Sequence, residues 1–150
     1  MIQRLSSRRE PLGDFLPKQL AGAKGYDRIA GYFCSSLLEV AGEAIAEVEG
    51  QVRIVCNSDL QRLDVVTARA AHLAMRQEWC ESIPEDIPEQ MQDRLRKLHD
   101  LLVSGKLRVK VLPNDRFGLV HGKAGVITRG DGSKTCFLGS INESKTAWTL

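Results

Sequence analysis

Val52-Arg53-Ile54-Val55-Cys56-Asn57-Ser58-Asp59 is the stretch that decides the class of fold. Its first five residues are apolar and β-branched apart from one Arg and the closing Cys, which reads as a buried strand. Asn57-Ser58-Asp59 then supplies turn and N-cap chemistry for a helix from about Leu60 to Cys80. Immediately upstream, Ser35 and Ser36 can cap a helix whose apolar positions Leu37, Leu38, Val40, Ala41, Ala44, Ile45 and Val48 recur at helical spacing until Gly50. Before that helix, Arg28-Ile-Ala-Gly-Tyr-Phe-Cys34 reads as another buried strand. Strand, helix, strand, helix in this order predicts parallel pairing through crossovers.

Further out the pattern is simpler. Residues 1–12 form a polar, basic lead-in with a short strand at Ile2–Leu5, and Asp14 opens a short amphipathic helix through Phe15, Leu16, Leu20 and Ala23 that Gly25 ends. Downstream, Ser82–Pro88 is a solvated break with two prolines, followed by a helix from Glu89 to Val103 that turns Met91, Leu95, Leu98, Leu101 and Leu102 inward. Its charges Arg94, Arg96 and Lys97 read as a solvated face. Leu107-Arg-Val-Lys-Val-Leu112 alternates apolar with basic residues, a half-buried strand with a cationic outer face. Pro113-Asn114-Asp115 turns the chain, and Leu119–Thr128 and Lys134–Leu138 form a hairpin around Arg129-Gly-Asp-Gly-Ser133. The Arg-Gly-Asp tripeptide is that turn rather than an adhesion signal. Helical propensity resumes at Glu143–Trp148. The expectation is one α/β domain spanning 1–150, with a mixed, partly parallel central sheet flanked by helices.

Composition narrows the function classes. A chain of 150 residues is one domain's worth and buries roughly 68–70% of its unfolded surface without a staple. The net charge of +2 is mild, but it is unevenly spread. Glu78–Asp93 holds six acids and no Lys or Arg, whereas Val103–Lys134 holds seven basic residues against Asp115 and Asp131. Cys34, Cys56, Cys80 and Cys136 show no metal-binding spacing, and Cys34, Cys56 and Cys136 end apolar runs, where a thiol packs as a small hydrophobe. The N-terminus lacks an apolar signal core and no run reaches the ~18 apolar residues of a membrane span. A cytoplasmic protein with no membrane partner is expected.

The basic half carries the chemistry. In Val120-His121-Gly122-Lys123, strand alternation turns His121 and Lys123 to one side and leaves Gly122 on the other. Gly139-Ser140-Ile141-Asn142 repeats that spacing after one hairpin. If the two strands are neighbours, an imidazole, an ammonium, a hydroxyl and a carboxamide converge on a patch suited to a phosphodiester. A neutral imidazole is an available nucleophile near pH 7, so His121 can attack phosphorus. Lys123 and Asn142 can hold the non-bridging oxygens, while Ser140, Gly139 and the following helix start add a phosphate seat. No carboxylate cluster is present to hold a metal, and neither metal nor cofactor is expected. One histidine cannot be both nucleophile and general acid for one displacement. His72 and His99 fall in predicted helices, so the economical donor is His121 of a second copy, which predicts a homodimer with the site at its interface.

His121-Gly-Lys123 followed by Gly139-Ser-Ile-Asn142 resembles the phospholipase D superfamily signature, H-x-K with G-S-x-N. The single copy is similar to the dimeric nuclease branch. Gly31-Tyr-Phe33, the Val52–Cys56 strand with its turn, and Gly139–Ser144 look like the phospholipase D-like domains at the N-terminus of bacterial superfamily 2 helicases. The resemblance implies a metal-independent phosphodiesterase acting on nucleic acid, DNA first, with covalently linked C-terminal helicase domains, this chain being an N-terminal fragment. Two departures stand out: Thr128 occupies the position where the family commonly has Asp, and no strand carrying a Glu follows the second motif before Leu150. A non-catalytic nucleic-acid-binding module is the alternative, and a phospholipid hydrolase a remote one, since neither a second H-x-K nor an apolar rim appears.

Overall fold

The computed structural model describes residues 2, 12–57, 60–75, 89–113, 122–139, 146 and 148. Five strands, β1 (Ala23–Ile29), β2 (Val52–Asn57), β3 (Leu107–Leu112), β4 (Ala124–Arg129) and β5 (Lys134–Leu138), form one sheet in the order β3-β2-β1-β4-β5. β1, β2 and β3 run parallel, while β4 is antiparallel to β1 and β5 to β4. The architecture is α/β with a mixed, partly parallel sheet. Among the described residues, the helices delimited at both ends are α1 (Phe15–Leu20), α2 (Leu38–Glu47), α3 (Arg62–Met75) and α4 (Glu89–Val103).

β1 lies earlier in the chain than its apolar content predicts. The strand begins at Ala23, just after Gly22 reverses the chain at φ 67°, and Gly25 falls inside it rather than ending a helix. What fixes it is pairing. Tyr26, Arg28 and Ile54 are buried on one side, while on the other Arg53 meets Asp27 through Nε–Oδ1 at 2.5 Å and Nη2–Oδ2 at 2.7 Å. The apolar stretch after Ile29 leaves the ladder through Ala30, whose N–H still donates to Val55 O, and enters a 3₁₀ turn at Ser35–Leu37. The N-cap positions fall to Cys34 for the 3₁₀ turn and Leu37 for α2 rather than to Ser35 and Ser36. The Ser35 N–H instead donates to Asp64 Oδ2 at 2.8 Å, and the Ser36 N–H to Cys34 Sγ.

The successive crossovers β1 to β2 and β2 to β3 move across the sheet in the same direction, which puts their helices on one face. That face holds the core: Tyr26, Val52, Ile54, Cys56, Leu107 and Ile127 from the strands, with Leu16, Leu20, Ile45, Leu95 and Leu98 from the helices. Phe15, Tyr26, Phe137 and Trp148 close it at the β5 edge, Phe15 and Trp148 stacked at 5.8 Å between ring centroids. The opposite face carries Asp27, Ile29, Arg53, Arg108, Lys110 and Leu138, and Leu138 is 86% exposed. None of the described helices covers it.

Two surface readings change with packing. Arg94 is not solvated: its Nη1 is 2.9 Å from Glu39 Oε1, with only 10% of the side chain exposed, because α4 lies against α2. Cys136 is exposed rather than buried, since it faces the uncovered side of β5. Cys34 and Cys56 are buried, as expected, and burial pushes the Cys56 thiol up to about 11. Cys80, the Ile2–Leu5 strand beyond Ile2, and most of the Glu143–Trp148 helix lie outside the described residues; Ile2 itself is not in a strand, whereas Thr146 and Trp148 are helical. No described helix is long and apolar enough to cross a membrane.

Candidate functional site

Strand direction gathers the informative residues at one edge of the sheet. The parallel strands β1, β2 and β3 end there at Ile29, Asn57 and Leu112. β4 starts there, since Ala124 pairs with Ile29, and β5 ends there, since Leu138 pairs with Ala124. The chain runs outward from β1 through β2 to β3 and then returns to the other side of β1. In open α/β sheets, ligands bind outside the carboxyl ends of the strands where such a reversal occurs.

At this edge the Gly139 N–H donates to the Lys123 carbonyl at 3.0 Å, one step beyond the Ala124–Leu138 pair. Gly122-Lys123 of the first motif and Gly139 of the second therefore abut. A Cβ at Gly122 would stand 3.6 Å from Ile29 Cγ2, on the uncovered side of the sheet. Lys123 is half-buried. His121, Ser140 and Asn142 lie outside the described residues. His72 and His99 are elsewhere. α3 starts at this edge and runs away from it, leaving the exposed His72 near its far end, and His99 sits beside Asp100 on α4, close to the opposite edge where β3 begins.

A cation that sequence reasoning passed over lies just behind the motif. Arg28 is 3% exposed, and its guanidinium carbon is 4.9 Å from the Phe137 ring centroid. It pairs with Gly125, two residues or about 7 Å along β4 from Lys123. Gly125 suits that position, because a Cβ would come closer to Cζ and Cε1 of Phe137 than real side chains approach, so the ring would have to shift. A desolvated guanidinium over an aromatic face gains up to about 2 kcal/mol. The only sequence signal was an Arg opening an apolar run.

The loop after β1 contributes a second group of polar atoms. Asn57 Nδ2 donates to Gly31 O at 3.1 Å and fixes the loop's start. Tyr32 is within hydrogen-bonding reach of Cys34 and Gln61; burial, with Cys34 next, raises the Tyr32 phenol above its ordinary value. Asp64 is 4% exposed, and while Oδ2 accepts from the Ser35 N–H, Oδ1 has no hydrogen-bond partner among the described residues. Leaving such an oxygen buried costs about 1–3 kcal/mol. Asp64 opens the inner wall of a cavity of about 480 Å³ between α3, α4 and β3.

Compared with protein-family models, curated proteins and solved structures, the chain matches none of them.

Proposed function

We propose that this chain is a phospholipase D-like phosphodiesterase domain that cleaves DNA without a metal, with His121 as nucleophile. The observation that carries the reading is the Gly139-to-Lys123 backbone bond, through which the described ends of the H-x-K and G-S-x-N stretches adjoin at the carboxyl edge of β1. The neighbouring buried Arg28 adds positive potential on the same strand pair.

In this reading His121 attacks phosphorus, the N–P bond forming as the P–O bond breaks, and the leaving oxygen takes a proton from the partner subunit's His121. Water then attacks the phosphohistidine, gives its proton to the partner imidazole and frees His121. Lys123 and Asn142 hold the non-bridging oxygens as charge grows on them, and Ser140 with the adjacent backbone N–H groups completes the seat. The domain works as a homodimer and delivers the cut alongside linked helicase domains.

The test is cleavage of single- and double-stranded DNA in EDTA by wild type, His121→Asn and Lys123→Ala. Loss of cleavage by at least about 10²-fold in each variant is expected. Wild-type cleavage that persists in His121→Asn overturns the mechanism. A second reading, a non-catalytic DNA-binding module, is favoured by Arg108 and Lys110, both exposed on the uncovered sheet face. It is the one to adopt if wild type binds DNA without cutting it.

A further inference from the structure

We propose that the uncovered face of the sheet is a docking surface for an amphipathic α-helix of a partner protein, apolar along one stripe and acidic along its flank. This is independent of the phosphodiester reading.

The strand register lays this face out in two halves. Ile29, Ala124 and Leu138 pair in one row across β1, β4 and β5, and Val126 and Cys136 pair in the next, so the five form one contiguous apolar patch on the side away from the core. Ile29 is 44% exposed and Leu138 86%. The other half is cationic. Arg53 on β2 is taken up by Asp27, but Arg108 and Lys110 on β3 are exposed and have no acidic partner among the described residues. A contiguous exposed apolar patch marks a contact surface, and the charge along its border states what the partner carries. A helix is about 10–12 Å across. Laid along β1 and β4 it covers Ile29, Ala124 and Val126, and since β3 lies two strand spacings or about 10 Å from β1, its flank stands over Arg108 and Lys110. Acidic residues on that flank complete the match. Other occupants fit less well. A second copy, related by a two-fold axis, would set the same net-positive face against itself. A nucleic-acid strand gains from bases stacked on aromatic rings, and the described part of this face has none, while its phosphates would cover the apolar half. An anionic membrane takes up protruding Trp, Phe and Leu side chains, and here only Leu138 stands well clear of the strands.

The experiment follows the fluorescence anisotropy of a labelled peptide of about 18 residues, long enough to hold a helix alone, as the folded chain is added. The peptide carries Leu at i, i+3, i+4 and i+7 and Glu on both flanks. A second peptide has Lys for each Glu, and a third has Ala for each Leu. Saturable binding of the acidic peptide is expected with a dissociation constant on the order of 10 μM, and binding of the other two at least about 10-fold weaker. Leu138→Glu should weaken the acidic peptide at least about 10-fold, from a position too exposed to unsettle the fold. Arg108→Glu combined with Lys110→Glu should reverse the preference, so that the lysine peptide becomes the tighter of the two. No saturable binding at roughly 300 μM protein, about 30-fold above the expected constant, overturns the proposal. Equal binding of the acidic and lysine peptides to wild type overturns it too, as does a preference that the double substitution leaves unchanged. Single-stranded DNA, or phosphatidylserine–phosphatidylcholine vesicles, that displace the peptide and lose their own binding in the double variant would assign the face to that partner and overturn helix docking.

Discussion

Gly125→Ala probes the layer directly beneath the candidate site. The added methyl would lie within contact distance of Cζ, Cε1 and Cε2 of Phe137, so the ring must move. It has little room, being held by Phe15 at 5.8 Å, Tyr26 at 6.3 Å and Trp148 at 6.4 Å between centroids, and it carries the Arg28 guanidinium at 4.9 Å. Overpacking of this kind costs about 1–3 kcal/mol, and loosening a cation–π contact costs about 0.5–2 kcal/mol. The middle of the first range with a partial loss of the second gives about 2.5 kcal/mol, or a fall in Tm of about 5–10 °C for a chain of this size. Urea unfolding followed by tryptophan fluorescence measures it, because Trp148 is 1% exposed and stacks in the same cluster. The decisive comparison is the double mutant. With the ring removed in Phe137→Ala, the methyl at position 125 has space, so Gly125→Ala should add almost nothing, a coupling of about 1–3 kcal/mol. Additive losses, or a single mutant within about 0.5 kcal/mol of wild type, would refute the account of why this position is glycine.

Arg94→Ala should cost about 1–3 kcal/mol by removing the Arg94–Glu39 bond from the α2–α4 interface, while Arg53→Ala should cost clearly less despite two short bonds to Asp27, because that pair is exposed. Adding 1 M salt should shrink the Arg53 effect further. At pH 8 Cys136 should react with iodoacetamide in the folded protein while Cys56, buried and raised to about 11, stays unmodified; mass spectrometry after digestion distinguishes them, and alkylation of Cys56 as fast as Cys136 would contradict the burial. The same raised value has a thermodynamic sign. The folded state holds the Cys56 proton longer than the unfolded chain does, so its contribution is full below pH 9 and declines as pH rises from about 9 to about 11, visible as a falling urea midpoint.

Local signals carried the strands and helices whose ends coincide with a change of chemistry. Glu89–Val103 is followed by Gly105 at φ 71°, and Leu107–Leu112 alternates cleanly; both appear with the expected bounds. β1 was displaced because apolar content pointed to Arg28–Cys34, whereas the register is set by Tyr26 against Val52 and by the Asp27–Arg53 pair, contacts between residues far apart in sequence. The same limit hid Arg28, whose partner is an aromatic ring from β5, and Asp64, whose acceptor role depends on Ser35 from another element. Of the five residues singled out for phosphate chemistry, Lys123 and Gly139 are brought together at one edge, and the other three fall outside the described residues.

The described clasp between β4 and β5 at that edge, from the Gly139 N–H to the Lys123 carbonyl, is a bond between peptide groups. Any side chain can therefore be exchanged at position 123 without unfastening it, while a proline at 139 would remove the donor and leave every charge where it was. Electrostatics and closure of the hairpin mouth thus answer to different mutations, and each can be varied while the other is held fixed.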